Sequence, residues 1–484
     1  MKTSLRLLRN TFFLSVAQIV NPILSMFLVL VLSRKLGPEG LGIYTTVLTL
    51  FTFFSLFSAL GLNSYLVREI SSDRSKAEKI FLNSFFLGTI SSLVFCLFMG
   101  FTAFILGYSS TLLNASIVMA IALFFTTIST FTQSMLQAFE RMEYCSTILI
   151  VETLIKVVGG IGVVLAGYQI FHVICIVVIA HIISMLLGLY FVNKHLFRLR
   201  FHFEHDLLRK MIKEVPIFFL LSIVVMIYWQ IDILMLSKMK GMVDVGYYSA
   251  AYRFLTIGIG LINCYIAAIF PVISRFYVES KNNFQQSCVS SIKYLSLTIL
   301  PIAVITTYLS KDIIRLFYGD EFIVSAQTLQ ILIWTLVLFP AANILGNGLV
   351  ASHQQKIDLL INALSAGFNI VLNLILIPKY SHVGAGIATL LSIAFFVIIQ
   401  QIFVRRVLFR MNYSGMLVKP YISGAVMALF IYIFKDANHL IISLMGILVY
   451  VLFLFLIRSF SRDEKNIIRS VWKDKKTLFS IGKS

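Results

Sequence analysis

About fourteen stretches of apolar residues, each long enough to cross a bilayer, recur along this sequence and leave room for little else. They run approximately at 11–33, 42–64, 80–106, 112–138, 147–167, 170–193, 214–237, 246–271, 288–309, 325–350, 357–378, 383–404, 415–434 and 437–457. Hydrocarbon offers no hydrogen-bond partner to a peptide group, so a spanning segment must be a helix or a strand of a closed barrel. Barrel strands would alternate apolar and polar residues over about 10 positions, and these runs are continuously apolar. The fold class read here is therefore an all-α membrane protein. Charge agrees with it. Only 13% of the residues are charged, against roughly 25% in a soluble domain, too few to cover a water-facing surface.

A net charge of +19 would suggest nucleic acid if the basic residues formed one patch. They lie instead in short connections between the apolar runs, so no nucleic acid is expected as a partner. With the N-terminus placed in the cytoplasm, 30 of the 40 Lys and Arg fall on its side and 8 on the other. The remaining two, Lys156 and Arg253, lie inside runs. This inside-positive bias predicts a multi-pass protein of the cytoplasmic membrane with both termini cytoplasmic. Lys2, Arg6 and Arg9 precede a first run of full spanning length with no A-x-A-like site after it, so that run reads as a transmembrane helix rather than a cleavable signal. The largest cytoplasmic connection, 194–213, is basic and reads either as an amphipathic segment on the anionic leaflet or as a solvated linker. The five cysteines are scattered singly and form neither a metal spacing nor a disulfide framework.

The chain repeats itself. Leu32 to Tyr44, LSRKLGPEGLGIY, aligns without gaps to Leu236 to Tyr248, LSKMKGMVDVGYY. Leu, Ser, two Gly and Tyr recur in place, and Arg34 is matched by Lys238. The glycines suit a tight turn and a close helix start. A weaker echo pairs LQAFERMEY with LVASHQQKI, each between the fourth and fifth runs of its half. The repeat unit is thus six helices. The expected organisation is 1–205 as an N-terminal lobe with a basic linker, 206–404 as a second six-helix lobe, and 405–484 as two added helices and a basic tail. Parallel bundles related by an axis normal to the membrane form a transporter architecture, with the site between them.

The turn LSRKLGPEGLGIY, the stretches GLNSYLVREIS and LQAFERMEY, and above all FNIVLNLILIPKYSHVGAGIATLLS resemble Wzx-type polysaccharide flippases. These belong to the multidrug/oligosaccharidyl-lipid/polysaccharide exporter superfamily, and the resemblance covers nearly the whole chain. It implies a V-shaped pair of six-helix lobes with two extra helices. It also implies translocation of an undecaprenyl-pyrophosphate-linked oligosaccharide by alternating access, for surface polysaccharide such as O-antigen. Polysaccharide polymerase and ligase machinery would then be neighbours in the cell. Where the family pattern usually places a glycine after Tyr380, this sequence has Ser381.

Sheltering a doubly anionic headgroup from hydrocarbon calls for cations and hydrogen-bond donors around an internal cavity. Each intramembrane charge costs about 2.5–3.5 kcal/mol even on a lenient insertion scale, so each asks for a reason. Arg253 and Asp232 lie at similar depth on the two arms of one helical hairpin; they read either as a self-neutralising pair or as a pair that an anion can split. Glu152 and Lys156, at i and i+4, favour a mutual pair, or else Lys156 meets phosphate while Glu152 titrates with a coupling proton. Arg68, Arg141, Arg275 and Lys293 fall near the cytoplasmic mouth, where the inside-positive bias alone accounts for most of them. Asn263, Asn343, Asn347, Asn369 and Asn373 lie in helices, where side-chain amides either bond neighbouring helices or bind sugar. Tyr228 and Trp229 suit an interfacial belt or a sugar-stacking role. His172, His181 and His353 stand alone in sequence and read as packing or loop residues.

No G-x-x-x-x-G-K-[ST] loop is present, so this chain is not expected to hydrolyse ATP, and no cofactor is expected. Coupling to an H⁺ or Na⁺ gradient is an expectation resting on Glu152 and Asp232. Membrane lipid and a lipid-linked oligosaccharide are the expected partners. Within the same fold the alternative is an ion-coupled multidrug-type antiporter, which would want an acidic cavity; the intrahelical charges here balance. A polytopic glycosyltransferase or polymerase would want a large outer loop or an acidic catalytic pair, and neither is evident, so the chain reads as a non-enzyme.

Overall fold

The computed structural model describes residues 2–196, 207–209, 211–212, 230–409 and 418–459, with side chains from residue 20 onward. Most of the connection at 194–213, the seventh run up to residue 229 with Tyr228 and Trp229, and the tail beyond 459 lie outside the described residues. The described residues are helical, with short connections and no strand. We number the helices α1 (Lys2–Ala59), α2 (Leu62–Ser72), α3 (Ala77–Ile105), α4 (Ser110–Ala138), α5 (Met142–Leu165), α6 (Ile170–His195), α7 (230–239) and α8 (Met242–Glu279). They continue as α9 (Lys281–Tyr308), α10 (Ser310–Tyr318), α11 (Ser325–Leu332), α12 (Thr335–Ala351), α13 (Gln355–Val407), α14 (Val418–Ile433) and α15 (His439–Leu456).

Ten helical stretches among the described residues are long and apolar enough to cross a membrane. Two of them hold two spans each. The 53 residues of α13 would reach about 80 Å as one rod, far beyond a hydrocarbon core of about 30 Å. α1 breaks at Gly37 (φ 66°, ψ −170°) and α13 at Ser381 (φ 49°, ψ −132°). With those two divided and the shorter α14 added, the described residues hold thirteen apolar helical stretches, and α7 is described over 230–239. At the first break the sequence supplies what the geometry needs: Gly37 takes the positive φ without a Cβ clash, and Pro38 starts the next helix where its missing N–H goes unmissed. Ser381 holds a positive φ as a non-glycine, and its hydroxyl donates to the Asp244 carboxylate. The position where the family pattern expects a glycine is therefore a real break, carried by a side-chain anchor instead.

Outward faces are apolar. On α3, Leu93, Leu97, Phe101 and Phe104 all stand exposed at helical spacing, Leu97 by 76%. In water such a stripe would be a large unpartnered patch; in a multi-pass membrane protein it is the lipid-facing side.

Taking the sequence repeat as the guide, we call α1–α6 the N-lobe and α7–α13 the C-lobe; among the described residues they meet mainly through α1 against α8, with α10 also touching α1. The contact is built from the two repeat turns. Gly241 (φ 95°, ψ −176°) adopts the same backbone as its counterpart Gly37. Ser33 and Ser237 each donate to the carbonyl three residues back, Leu30 at 2.9 Å and Leu234 at 2.8 Å. A Cβ at Gly42 would collide with the Met242 carbonyl, and one at Gly246 with the Pro38 carbonyl. Pro38 and Met242 are themselves equivalent in the repeat, so each lobe seats its glycine on the other's backbone.

The matched cations cross the same seam. Arg34 donates to the carbonyls of Phe317 (3.1 Å) and Leu316 in the last turn of α10, and Lys238 donates to the Leu106 carbonyl just after α3 (2.5 Å). Each positive charge thus sits on the negative end of a helix in the opposite lobe. Tyr108 and Ser237 share a further hydrogen bond of 2.7 Å.

Overpacking a contact without spare volume costs about 1–3 kcal/mol. Gly42→Val is therefore expected to shift the lobes toward separation at this end. Spin labels at Ser109 and Lys240 in a cysteine-free background should report a longer distance population in the variant than in wild type. An unchanged distance distribution would contradict the seam as described.

Candidate functional site

Below the seam, α1 and α5 of the N-lobe and α7 and α8 of the C-lobe enclose a cavity of about 310 Å³. Lys156 enters it from α5 and Arg253 from α8, so the two cations that sequence places inside spans converge from opposite lobes. Hydroxyls of Thr45, Thr49 and Ser249, with Tyr44, Tyr252 and Gln230, complete the polar wall. Donors gathered around two cations in a partly dehydrated space have the chemistry that suits an anion.

Arg253 does not pair with Asp232. The Arg253 Nε is buried without a hydrogen-bond partner, and no ion pair to this residue occurs among the described residues. Asp232 is buried within the C-lobe and its oxygens are already taken. They accept from Tyr248 Oη (3.0 Å), Thr389 Oγ1 (2.7 Å) and Asn373 Nδ2 (2.5 Å), and Asn373 also donates to Asn369 Oδ1 (3.0 Å). The structure therefore gathers Asp232, Asn369 and Asn373 into one cluster apart from Arg253. Depth along the hairpin was legible in sequence; the rotation of each helix was not, and it turns the two charges away from each other. In the N-lobe the equivalent of Asp232 is Leu28, packed in the core, and the equivalent of Tyr248 is Tyr44, which lines the cavity. The Asp232 cluster brings a carboxylate together with neutral oxygens, including an unbonded, buried Asn373 Oδ1. That donor set suits a hard monovalent cation or a proton.

Lys156 is paired as the i, i+4 spacing allows: its Nζ lies 2.5 Å from Glu152 Oε1. The same oxygen lies 3.4 Å from His181 Nδ1 on α6, which also meets Thr126 Oγ1 at 3.0 Å. Sequence reading set His181 aside as isolated because it stands 29 positions beyond Glu152 and on another helix. Only the packing of α5 on α6 closes the triad.

The other basic residues fall outside the cavity. Arg68 on α2 bonds its neighbour Glu69 (2.9 Å) and stacks over Tyr65. Arg141, at the start of α5, lies 3.6 Å from Glu143. Both are half exposed at the end of the bundle away from the seam. Arg275 pairs with Glu279 at 3.7 Å, also exposed. Lys293 is 5% exposed and sits twelve residues into α9, about 18 Å from its start, with its Nζ over the Tyr294 ring. It belongs to the interior of the C-lobe rather than to the mouth.

A second cavity, of about 520 Å³, opens from the first. The two share Gln230, Tyr252 and Thr256, and the second extends between α8, α12 and α13 past Asn263, Asn343, Asn347 and Asp358.

Residues 7–277, more than half of the chain, match the family model described as polysaccharide biosynthesis protein, and residues 216–375 match that described as MatE. A probable low-salt glycan biosynthesis flippase of Haloferax volcanii is 25% identical over 392 residues, covering 80% of this chain and 81% of its own length. A putative O-antigen transporter of Shigella flexneri is 24% identical over 372 residues, with 74% and 88% covered. Among solved structures, the lipid II flippase MurJ in an inward closed conformation superposes with a TM-score of 0.79 at 18% identity, over 92% of this chain and 99% of that one.

The Asp232 cluster makes a stability prediction. Asp232→Leu removes the shared acceptor of Tyr248, Thr389 and Asn373, which keep only their bonds to one another, to the Ala385 carbonyl and to Asn369, at a cost of roughly 1–3 kcal/mol for the lost buried bonds. Asp232→Asn retains an acceptor. Thermal unfolding in detergent should rank wild type above the asparagine variant and both well above leucine; a leucine variant as stable as wild type would remove the cluster's structural role.

Proposed function

The chain belongs to the polysaccharide biosynthesis protein family, and from that premise we propose that it is a flippase for a lipid-linked oligosaccharide. The substrate is a glycan joined through pyrophosphate to an undecaprenyl chain, carried across the cytoplasmic membrane for surface polysaccharide synthesis. The observation that carries this reading is the convergence of Lys156 and Arg253, one from each lobe, on a single cavity. A pyrophosphate would draw Lys156 from Glu152 and meet Arg253, whose Nε has no partner to lose. A multidrug-type antiporter would want an acidic wall there, and this wall is basic.

The place where the lobes touch supports a transport cycle by alternating access. With the N-terminus in the cytoplasm, the glycine seam lies on the outer side, so the described state is closed outward. The seam would open when the lobes rock apart. Coupling to a gradient would use Asp232, whose cluster offers oxygen ligands to Na⁺ or a site for a proton, and Glu152 with His181 in the N-lobe. Polymerase and ligase enzymes would act on what this protein delivers.

The test is flipping of a defined undecaprenyl-pyrophosphate oligosaccharide in proteoliposomes. A hydrogen bond to a charged group contributes about 1.5–3 kcal/mol, so Arg253→Ala is expected to slow transport by about tenfold or more while the protein remains monodisperse. Lys156→Ala should behave likewise. Wild-type protein that moves no such lipid would overturn the reading. Equal transport by wild type and both variants would remove the cationic cavity from it.

A further inference from the structure

We propose that the second cavity, inside the C-lobe, is a saccharide subsite that binds the uncharged, polyhydroxylated part of the substrate next to the headgroup cavity. The inference rests on the flippase reading and deepens it, by assigning which part of the molecule each cavity takes. Three observations carry it.

The first is continuity. The amide-lined cavity joins the cationic one through Gln230, Tyr252 and Thr256, so a ligand anchored by its phosphates at Arg253 would extend its sugars into the C-lobe. At about 520 Å³ the space falls within the range of sites that enclose small ligands.

The second is chemistry. Asn343 donates to Asn263 Oδ1 at 3.0 Å, and Asn347 donates to Asn343 Oδ1 at 2.7 Å. Each carboxamide carries two N–H donors and an oxygen with two acceptor positions, so this ladder leaves donors and acceptors pointing into the cavity. Asp358 lines the cavity and approaches Gly346, where a Cβ would lie 3.1 Å from its Oδ1; Gln400, fully buried and outside the lining, backs the same glycine. Mixed donors and acceptors match hydroxyl and acylamino groups. The Asp358 carboxylate accepts hydroxyl hydrogens and repels acidic sugars.

The third is asymmetry between the repeats. Continuing the two repeat registers, Asn263 corresponds to Ala59, Asn343 to Thr130, Asn347 to Ser134 and Asp358 to Cys145. Thr130 and Ser134 return their hydroxyls to their own helix, at Thr126 and Thr130 carbonyls, and Cys145 is buried in the N-lobe core. The equivalent N-lobe positions thus carry no carboxamide or carboxylate, whereas in the C-lobe these side chains line a cavity; the polar lining is a feature of one lobe and not of the shared scaffold.

The experiment compares three probes in proteoliposomes: undecaprenyl pyrophosphate without sugar, the same lipid bearing a neutral trisaccharide, and one bearing a trisaccharide that contains a uronic acid. Asn343→Leu is expected to slow transport of the neutral trisaccharide lipid by tenfold or more and to change transport of the sugar-free lipid by less than twofold. Asn263→Ala, which removes a cavity-exposed side chain, should show the same split should the leucine variant fail to fold. Asp358→Asn should raise transport of the uronic-acid lipid several-fold relative to the neutral one. Equal effects of the asparagine variants on sugar-free and glycosylated lipids, or no effect on either, overturn the subsite while leaving the flippase reading intact. Wild-type protein that moves none of the three overturns both.

Discussion

Two backbone carbonyls, those of Pro38 and Met242, set how near the lobes approach, and the rest of the architecture hangs from that distance. Each lies against a glycine of the other lobe, Gly42 or Gly246, where any larger residue would collide. Lipid supplies no hydrophobic force between helices, so close backbone approach at small residues is what spanning helices have in place of it. The break at Gly37, the matching backbone at Gly241, and the cations on opposing helix ends all serve this one approach. The cavity beneath is lined by the same two helices, α1 and α8, that meet at the seam.

Charge is handled in three different ways inside the same bundle. Asp232 is surrounded by donors and is spent on structure or on a small cation. Glu152 is shared between Lys156 and His181, so its partners can be exchanged without leaving it unpaired. Arg253 lines the cavity with its Nε unbonded and without an ion pair among the described residues. An intramembrane charge normally needs a partner; one left without is where an external anion gains most.

Much of this was legible from residues alone. The spans and the repeat turn could be read because hydropathy and local identity are properties of contiguous sequence. Arg253 and Lys156 stood out because lysine and arginine are rare inside spans. What could not be read is what depends on helix rotation and packing. Asp232 meets Thr389, 157 positions away, and not its hairpin neighbour Arg253. His181 becomes a partner of Glu152 only once α5 lies on α6. Lys293 has the spacing of a mouth residue and the burial of a core one. The amide-lined cavity was visible only as scattered asparagines, since nothing in sequence separates an amide that bonds a neighbouring helix from one that lines a hollow.

The reciprocity of the seam has the form of an isologous dimer interface, in which position i of one copy meets position j of the other and j meets i. Here both copies lie in one chain. In a true homodimer a change on one side is imposed on both, so a surface cannot be adjusted for one half without disturbing the other. Joining the copies lifts that constraint while the contact itself is kept. The seam has stayed nearly symmetric, down to matched glycines and matched serines, whereas Leu28 and Asp232, or Ala59 and Asn263, have parted company a few turns away. Fusion of the halves is thus what allowed a symmetric hinge to carry an asymmetric load.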